Sequence, residues 1–102
     1  MKLLLKLIRK LIRNIHWISR KMFYNKIISM YFAYCNSLVD IGCGRGDFLF
    51  VARNKAKIVI GCDIDVKPLI VLHLYGFDVV QCDASYLPFK DDSFDGAFFP
   101  TL

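Results

Sequence analysis

A glycine-rich turn directly after an apolar run is the feature of this sequence that most restricts its fold. Residues 38–47 read Leu-Val-Asp-Ile-Gly-Cys-Gly-Arg-Gly-Asp. Gly42, Gly44 and Gly46 allow positive φ angles and admit a ligand where a Cβ would block it. The dinucleotide fingerprint G-x-G-x-x-G needs a glycine three residues after Gly44, where this chain has Asp47. The pattern D-x-G-x-G-x-G therefore speaks against a dinucleotide site.

Asp40 lies inside the apolar run that precedes the turn. Burying a carboxylate costs free energy unless the group is paired or has a functional role. Asp40 has two interpretations. It is a structural hydrogen-bonding group at the end of a strand, or it binds a ligand that lies at the glycine turn. We favour ligand binding, because Asp40 stands just before the three glycines.

The positive charge of the chain belongs entirely to its N-terminal third. The 102 residues carry 14 Lys or Arg and 9 acidic residues, a net charge of +5. Residues 1–34 hold eight of the basic residues and no acid. An apolar fraction of 56% argues against disorder and for a packed domain or part of one. We divide the chain into a basic helical segment, residues 1–36, and a second unit, residues 37–102.

The four cysteines are Cys35, Cys43, Cys62 and Cys82, and they form no C-x-x-C pair. That spacing speaks against a zinc site. Three of the four fall in or just after predicted strands, where cysteine packs as a small hydrophobe. We expect all four to be reduced and structural, in keeping with a cytoplasmic location.

The basic segment has the pattern of an amphipathic helix. Apolar residues recur at spacings of four and three, with basic side chains opposite. This apolar stripe consists of Leu4, Ile8, Leu11, Ile15, Ile18 and Met22. One unbroken helix to Ala33 would be about 45 Å long, so we expect a break within 19–25 and two helices. Lysines and arginines interrupt the segment too often for a membrane span of about 20 apolar residues.

From Ser37 onward, short apolar runs alternate with helical stretches. The predicted strands are 38–41, 58–62, 78–82 and 94–99, and the predicted helices are 47–54 and 66–75. Strands that alternate with helices predict a parallel α/β sheet, and continuous apolar strands predict burial on both faces.

One face of the predicted sheet lacks cover. Right-handed crossovers place both helices on the same face. The fourth strand, with Phe94, Phe98 and Phe99, is then an open aromatic edge. We expect a partner chain or self-association at this strand.

Four motifs in this order resemble the N-terminal half of class I S-adenosylmethionine-dependent methyltransferases. The family's first strand and loop are similar to residues 40–46, its second strand ends like 61–65, and its third ends like 81–84. Residues 87–95 resemble the segment that leads into the fourth strand. The resemblance implies a Rossmann-like parallel sheet, strands 1 to 4 of a seven-stranded methyltransferase core, preceded by the amphipathic N-terminal helices.

The resemblance implies S-adenosylmethionine as the cofactor, with its adenosine along two strand ends. Asp63 would accept hydrogen bonds from both ribose hydroxyls, and Ile64 would offer an apolar surface to the adenine ring. Asp83 would accept from the adenine amino group, and the Ala84 amide would donate to a ring nitrogen.

The methionine part of the cofactor would lie against Gly42, Gly44 and Gly46. Asp40 would attract its ammonium group, directly or through water. A carboxylate-lined site suits a ligand with a sulfonium and an ammonium, whereas a dinucleotide would place its pyrophosphate at a helix start. Asp47 occupies that start here and disfavours an anion.

The implied function is methyl transfer from S-adenosylmethionine to an unidentified acceptor. In the family, acceptor contacts come largely from segments after the fourth strand, so we assign no catalytic residue. An alternative is a non-catalytic S-adenosylmethionine-binding remnant or subunit that requires a partner chain. A nicotinamide-dependent oxidoreductase would fit the sheet but not the glycine spacing.

Several other acids have plain structural interpretations. Asp47 suits the first turn of a helix, where the helix dipole favours an acid, and Asp65 suits a helix cap. Asp91, Asp92 and Asp95 suit a solvated turn.

The basic N-terminal segment has three interpretations. It packs against the sheet as a lid on the cofactor pocket, or it associates with an anionic membrane surface, or it contacts nucleic acid. Trp17 favours the membrane over the nucleic acid. The cysteines favour a cytoplasmic location. The basic helix adds peripheral association with a membrane as an alternative.

Overall fold

The computed structural model describes residues 1–99 as a long helix followed by an α/β unit. In chain order the elements are α1 (Lys2–Tyr31), β1 (Ser37–Ile41), α2 (Asp47–Ala52), β2 (Ile58–Asp63), α3 (Val66–Leu74), β3 (Asp78–Gln81) and β4 (Gly96–Phe98). The predicted order of strands and helices is confirmed. β4 is shorter than the predicted strand 94–99.

The four strands form one parallel sheet in the order β3-β2-β1-β4. In the register, Asp40 of β1 lies between Gly61 of β2 and Phe98 of β4. The chain runs outward from β1 through β2 to β3 and then returns to the other side of β1. The strand order thus reverses at the carboxyl end of β1, which is where open α/β sheets bind ligands. The predicted Rossmann-like α/β class is confirmed.

All three helices cover one face of the sheet. Phe48 and Ala52 of α2 pack with Leu38 of β1 and Ile28 of α1 in one buried cluster. A second cluster joins α2 to α3 through residues that are all buried, namely Cys43, Leu49, Leu69, Leu72 and Phe77. The prediction that α2 and α3 share a face is therefore confirmed.

The other face carries a smaller apolar cluster, which the segment between β3 and β4 covers in part. Val39, Ile41, Cys62 and Cys82 are buried there, and Phe89 and Phe94 pack against them. The two rings meet edge to face with centroids 5.0 Å apart. The sequence analysis expected this face to be open. That expectation is wrong where Phe89 and Phe94 lie, because the segment between β3 and β4 folds back over the strands.

Phe98 is not part of an open edge either. Its ring stacks on Phe48 with centroids 4.2 Å apart and meets Tyr24 and Phe32 edge to face. The side chain of Phe98 therefore belongs to the helix-covered face. What remains free at β4 among residues 1–99 is its outer backbone edge.

α1 is one helix of 30 residues, so the predicted break within 19–25 is wrong. Residues 1–31 contain no glycine or proline to interrupt it. The second half of α1 packs on the α/β unit through Trp17, Tyr24 and Ile28. None of these three residues belongs to the apolar stripe. The packing of α1 on the sheet, one of the three interpretations, applies to this second half.

Asp95 has a structural role that the sequence analysis missed. Its carboxylate accepts hydrogen bonds from the amides of Asn36 at 2.8 Å and Ser37 at 3.2 Å, and its own amide donates to the Ser37 hydroxyl. Asp95 therefore anchors the start of β4 to the start of β1. Asp65 does cap α3 as predicted, by accepting from the Lys67 amide.

The cysteines differ from the expectation that all four are reduced. Cys62 and Cys82 form a disulfide, and Cys35 and Cys43 are free. Cys62 lies one residue before the end of β2, and Cys82 directly follows the neighbouring β3. Their Cα atoms are 5.9 Å apart, within the range of a disulfide. Spacing along the chain does not reveal this proximity, because it arises from the pairing of the strands.

Candidate cofactor-binding site

The glycine turn has the backbone conformation that its sequence predicts. The φ angles are +77° at Gly42, +53° at Gly44 and +84° at Gly46, a region that favours glycine. The Gly42 and Cys43 amides donate to the Cys62 carbonyl at 2.7 and 2.9 Å, and the Gly46 amide donates to the Cys43 carbonyl. These bonds fix the turn against the end of β2.

Two of the glycines face different surroundings. A Cβ at Gly44 would meet nothing within 4 Å, whereas a Cβ at Gly46 would lie 2.5 Å from a methyl carbon of Leu72. Gly44 therefore leaves open space beside the turn. Gly46 lets the start of α2 pack closely on α3.

Asp63 joins the end of β2 to the glycine turn. Its Oδ2 accepts a hydrogen bond from the Gly44 amide at 2.8 Å, and its Oδ1 accepts from the Asp65 amide at 2.9 Å. A carboxylate oxygen has two lone pairs, so each oxygen retains one for a further donor. Asp63 is half-buried and can both hold the turn and accept from a ligand.

Asp40 is the one buried acidic residue among the residues whose burial is described. It is 2% exposed, and its Oδ1 is buried with no hydrogen-bond partner. Burial, with a smaller contribution from the nearby Asp63 charge, raises the pKa of Asp40 from 3.8 to about 7. A buried carboxylate without a partner is costly, and a cationic group in the site would supply the missing partner.

A pocket of about 240 Å³ opens beside Asp40. It is lined by Tyr24, Asp40, Gly42, Cys43, Arg45, Asp47, Phe48 and Phe98. Burial, followed by the charges of Asp47 and Asp40, raises the pKa of Tyr24. The Tyr24 phenol thus remains a neutral hydrogen-bonding group at neutral pH.

α1 closes one side of this pocket. Tyr24 reaches it from the second half of α1, and Arg20 forms an ion pair with Asp47 at 2.7 Å. The sequence analysis missed Tyr24 and Arg45. The available signal for Tyr24 was a second apolar set on α1, at Trp17, Tyr24 and Ile28, which recurs at spacings of seven and four.

The remaining predicted site residues lie along the same edge of the sheet. The Cys82 amide donates to the Asp63 carbonyl at 3.0 Å, which places Asp83 directly beside the end of β2. The Asp83 carboxylate accepts from the Ser85 amide and is exposed, as is Ala84. Ile64 is 66% exposed. Asp40, Asp63 and Asp83 thus follow one another on the ends of β1, β2 and β3.

This arrangement fits S-adenosylmethionine. The buried oxygen of Asp40 lacks a donor, the open space beside Gly44 admits a ligand, and the exposed Ile64 side chain can lie against a ring. Arg45, at the turn, is the basic residue that lines the pocket. The donors and acceptors present therefore match a ligand with an ammonium, a carboxylate and an adenosine.

A family profile described as "Methyltransferase domain" matches residues 39–101, more than half of the chain. The chain belongs to this methyltransferase family. The predicted membership of a methyltransferase family is confirmed. α1 lies outside the matched residues.

Curated relatives match this chain over 58 residues. The chain is 38% identical to "Probable tRNA methyltransferase 9B" of Bos taurus and 36% identical to "tRNA (carboxymethyluridine(34)-5-O)-methyltransferase alkbh8" of Xenopus tropicalis. The matches cover 57% of this chain but only 12% and 9% of those proteins. The methyltransferase likeness thus extends to a small part of each relative.

Among solved structures, the chain is similar to the YcgJ protein of Bacillus subtilis. The TM-score is 0.65 at 26% sequence identity, over 72% of this chain and 35% of that one. This similarity agrees with the Rossmann-like fold of the sheet.

Proposed function

We propose that this chain forms the S-adenosylmethionine-binding part of a methyltransferase. The observation that carries the proposal is Asp40, a buried carboxylate with an unpartnered oxygen at the carboxyl end of β1. It lines a pocket next to the glycine turn. A fully buried acid in this position is expensive for folding, and the ammonium group of the cofactor accounts for it.

In this proposal the adenosine lies across the ends of β2 and β3. Asp63 keeps its bond to the Gly44 amide and accepts from the ribose hydroxyls with its remaining lone pairs. Asp83 and the Ala84 amide recognise the edge of the adenine ring. The exposed Ile64 side chain packs on the face of the ring.

The methionine part enters the pocket beside Asp40. Arg45, which lines the same pocket, is placed to attract the cofactor's carboxylate while Asp40 attracts its ammonium. Tyr24 and the Arg20–Asp47 ion pair close the pocket on the α1 side. These residues bind and orient the ligand and limit the access of water.

When bound, S-adenosylmethionine supplies an electrophilic methyl group on its sulfonium. Direct displacement needs the acceptor aligned behind that methyl, so orientation contributes much of the rate. In this proposal the described residues hold the methyl donor. We assign no catalytic group among them.

The acceptor class that we propose to test first is tRNA. Two curated relatives are named as tRNA methyltransferases, although the matches cover only 12% and 9% of their length. Transfer of a labelled methyl group to total tRNA by the whole protein tests this proposal. The alternative, a non-catalytic S-adenosylmethionine-binding subunit, predicts cofactor binding without transfer until a partner chain pairs with the outer edge of β4.

The proposed site predicts that Asp63→Ala weakens S-adenosylmethionine binding by about 100-fold. Hydrogen bonds to a charged group contribute about 1.5–3 kcal/mol each, and about 1.4 kcal/mol corresponds to a tenfold change. Isothermal titration calorimetry measures the dissociation constant.

Asp65→Ala is the matched control for this experiment. Asp65 lies two residues away, is exposed and caps α3, so its loss should change stability by about 1 kcal/mol and leave cofactor affinity within about twofold. Equal affinities in Asp63→Ala and the wild-type chain would contradict the proposed site.

A further inference from the structure

The apolar stripe of α1 faces away from the α/β unit. Ile15 and Tyr24 are nine positions apart, which at 100° per residue places them about 180° apart around the helix. The same holds for Ile8 and Trp17. Because Trp17 and Tyr24 pack against the buried cluster of the α/β unit, the stripe lies on the opposite side.

The stripe has no partner among residues 1–99. Its members are between 43% exposed at Ile8 and 67% exposed at Met22. Leu3, Leu5, Leu7 and Ile12 extend the exposed apolar surface in the first half of the helix. A continuous exposed apolar surface of this kind marks an interaction site.

The charges on α1 indicate which partner the stripe fits. All eight charged side chains in residues 1–34 are basic. Arg20 is paired with Asp47, and among residues 1–99 the other seven form no ion pair. A helix with an apolar face and unpaired cations on the opposite face is complementary to the surface of an anionic bilayer.

We propose that α1 lies on an anionic membrane surface, with the apolar stripe among the acyl chains and the basic side chains at the headgroups. Within residues 1–99, no helix is both long and apolar enough to cross a bilayer. The α/β unit and the pocket beside Asp40 are on the far side of α1. The cofactor site therefore remains open to solvent while the stripe is buried.

Trp17 does not serve as the membrane anchor in this arrangement. The sequence analysis connected Trp17 with membrane binding, but its ring packs on the α/β unit. The anchoring residues are instead the aliphatic members of the stripe. This assignment separates the membrane-binding residues from those that close the cofactor pocket.

Two other partners fit the surface less well. Nucleic acid would pair with the basic side chains but would leave the apolar stripe in water. A second copy of α1 packed on the stripe would bring two helices of the same charge together, without an acid on either, and like charges across an interface are unfavourable.

The test is co-flotation of the full chain with lipid vesicles. We expect binding to vesicles of phosphatidylcholine with about 30% phosphatidylglycerol to be at least about tenfold stronger than to pure phosphatidylcholine, and to weaken with salt. The triple variant Leu11→Ser, Ile15→Ser, Ile18→Ser should lose about tenfold in binding. Circular dichroism checks that α1 stays helical in the variant.

The matched control removes exposed apolar side chains from α3. Ile70 and Leu74 are 56% and 80% exposed, so Ile70→Ser, Leu74→Ser should bind vesicles as the wild type does. Both variants should bind S-adenosylmethionine within about twofold of the wild type, because the stripe lies opposite Tyr24. Absence of S-adenosylmethionine binding in the wild type would count against the proposed function and not against the membrane proposal.

Three results would overturn the membrane proposal. The first is vesicle binding that is absent or that does not depend on the stripe. The second is a dimer, seen by light scattering, that dissociates in the stripe variant. The third is binding of labelled tRNA in the absence of any binding to vesicles.

Discussion

Asp40→Asn should stabilise the protein at pH 8 without cofactor and, at the same pH, remove most of its affinity for S-adenosylmethionine. The wild-type carboxylate is buried with an unpartnered oxygen. Asparagine has nearly the same shape but carries no charge. The substitution therefore removes the cost of burying the charge and also removes the group that attracts the ammonium.

The pH dependence follows from the pKa of Asp40, which burial raises from 3.8 to about 7 in the folded protein. Below pH 3.8 the carboxyl is protonated in both the folded protein and the unfolded chain, so folding buries no charge. As the pH rises toward 7, the unfolded chain releases the proton while the folded protein retains it, so stability falls. Above pH 7 the loss is complete, with an upper limit of about 4 kcal/mol.

Thermal unfolding at several pH values measures this effect. We expect Asp40→Asn to be about 1–3 kcal/mol more stable than the wild type at pH 8, because the amide also lacks partners. The difference should vanish near pH 4. In calorimetry, the wild-type affinity for S-adenosylmethionine should fall below pH 7, and the variant should bind at least about tenfold more weakly at pH 8.

Asp91→Asn is the control, since Asp91 is exposed in the turn before β4. It should match the wild type in both measurements. An Asp40→Asn protein that is less stable than the wild type at pH 8, or that binds the cofactor equally well, would contradict the role given to this carboxylate.

Alanine at two glycines of the turn should separate stability from binding. Gly46→Ala forces a side chain into φ +84° and brings its Cβ to 2.5 Å from a methyl carbon of the buried Leu72. We expect a loss of about 2–4 kcal/mol from backbone strain and overpacking together. Urea unfolding measures the loss.

Gly44→Ala should lower the affinity for the cofactor more than it lowers the stability of the fold. Its Cβ would meet nothing within 4 Å, so the expected loss is only about 1 kcal/mol, from the positive φ. The same Cβ occupies the space that we assign to the ligand, and S-adenosylmethionine affinity should fall by at least about tenfold. A Gly44→Ala variant that binds as the wild type does would place the ligand elsewhere.

Much of the α/β unit could be predicted from local sequence patterns. The continuous apolar run Ile58-Val59-Ile60 predicts a strand covered on both faces. The structure has β2 there, but the predicted burial is wrong for Ile58, which is 52% exposed. The D-x-G-x-G-x-G pattern predicts positive φ angles, which all three glycines have. These features depend on residues close together in the chain.

The features that were missed depend on contacts between distant residues. The bond from the Gly44 amide to Asp63 and the anchoring of β4 by Asp95 both require the strands to be paired first. The same is true of the Cys62–Cys82 disulfide. On α1, the more regular apolar stripe concealed the set that packs, which contains Trp17 and Tyr24.

The identity of the ligand is tested most directly by titrating the wild-type chain at pH 8 with S-adenosylmethionine and, separately, with NADH. Carboxylates at the ends of three neighbouring strands favour a cationic adenosyl ligand, and Asp47 at the start of α2 opposes a pyrophosphate there. We predict saturable one-to-one binding of S-adenosylmethionine and at least about 100-fold weaker binding of NADH. Tighter binding of NADH, or no binding of S-adenosylmethionine, would contradict the account.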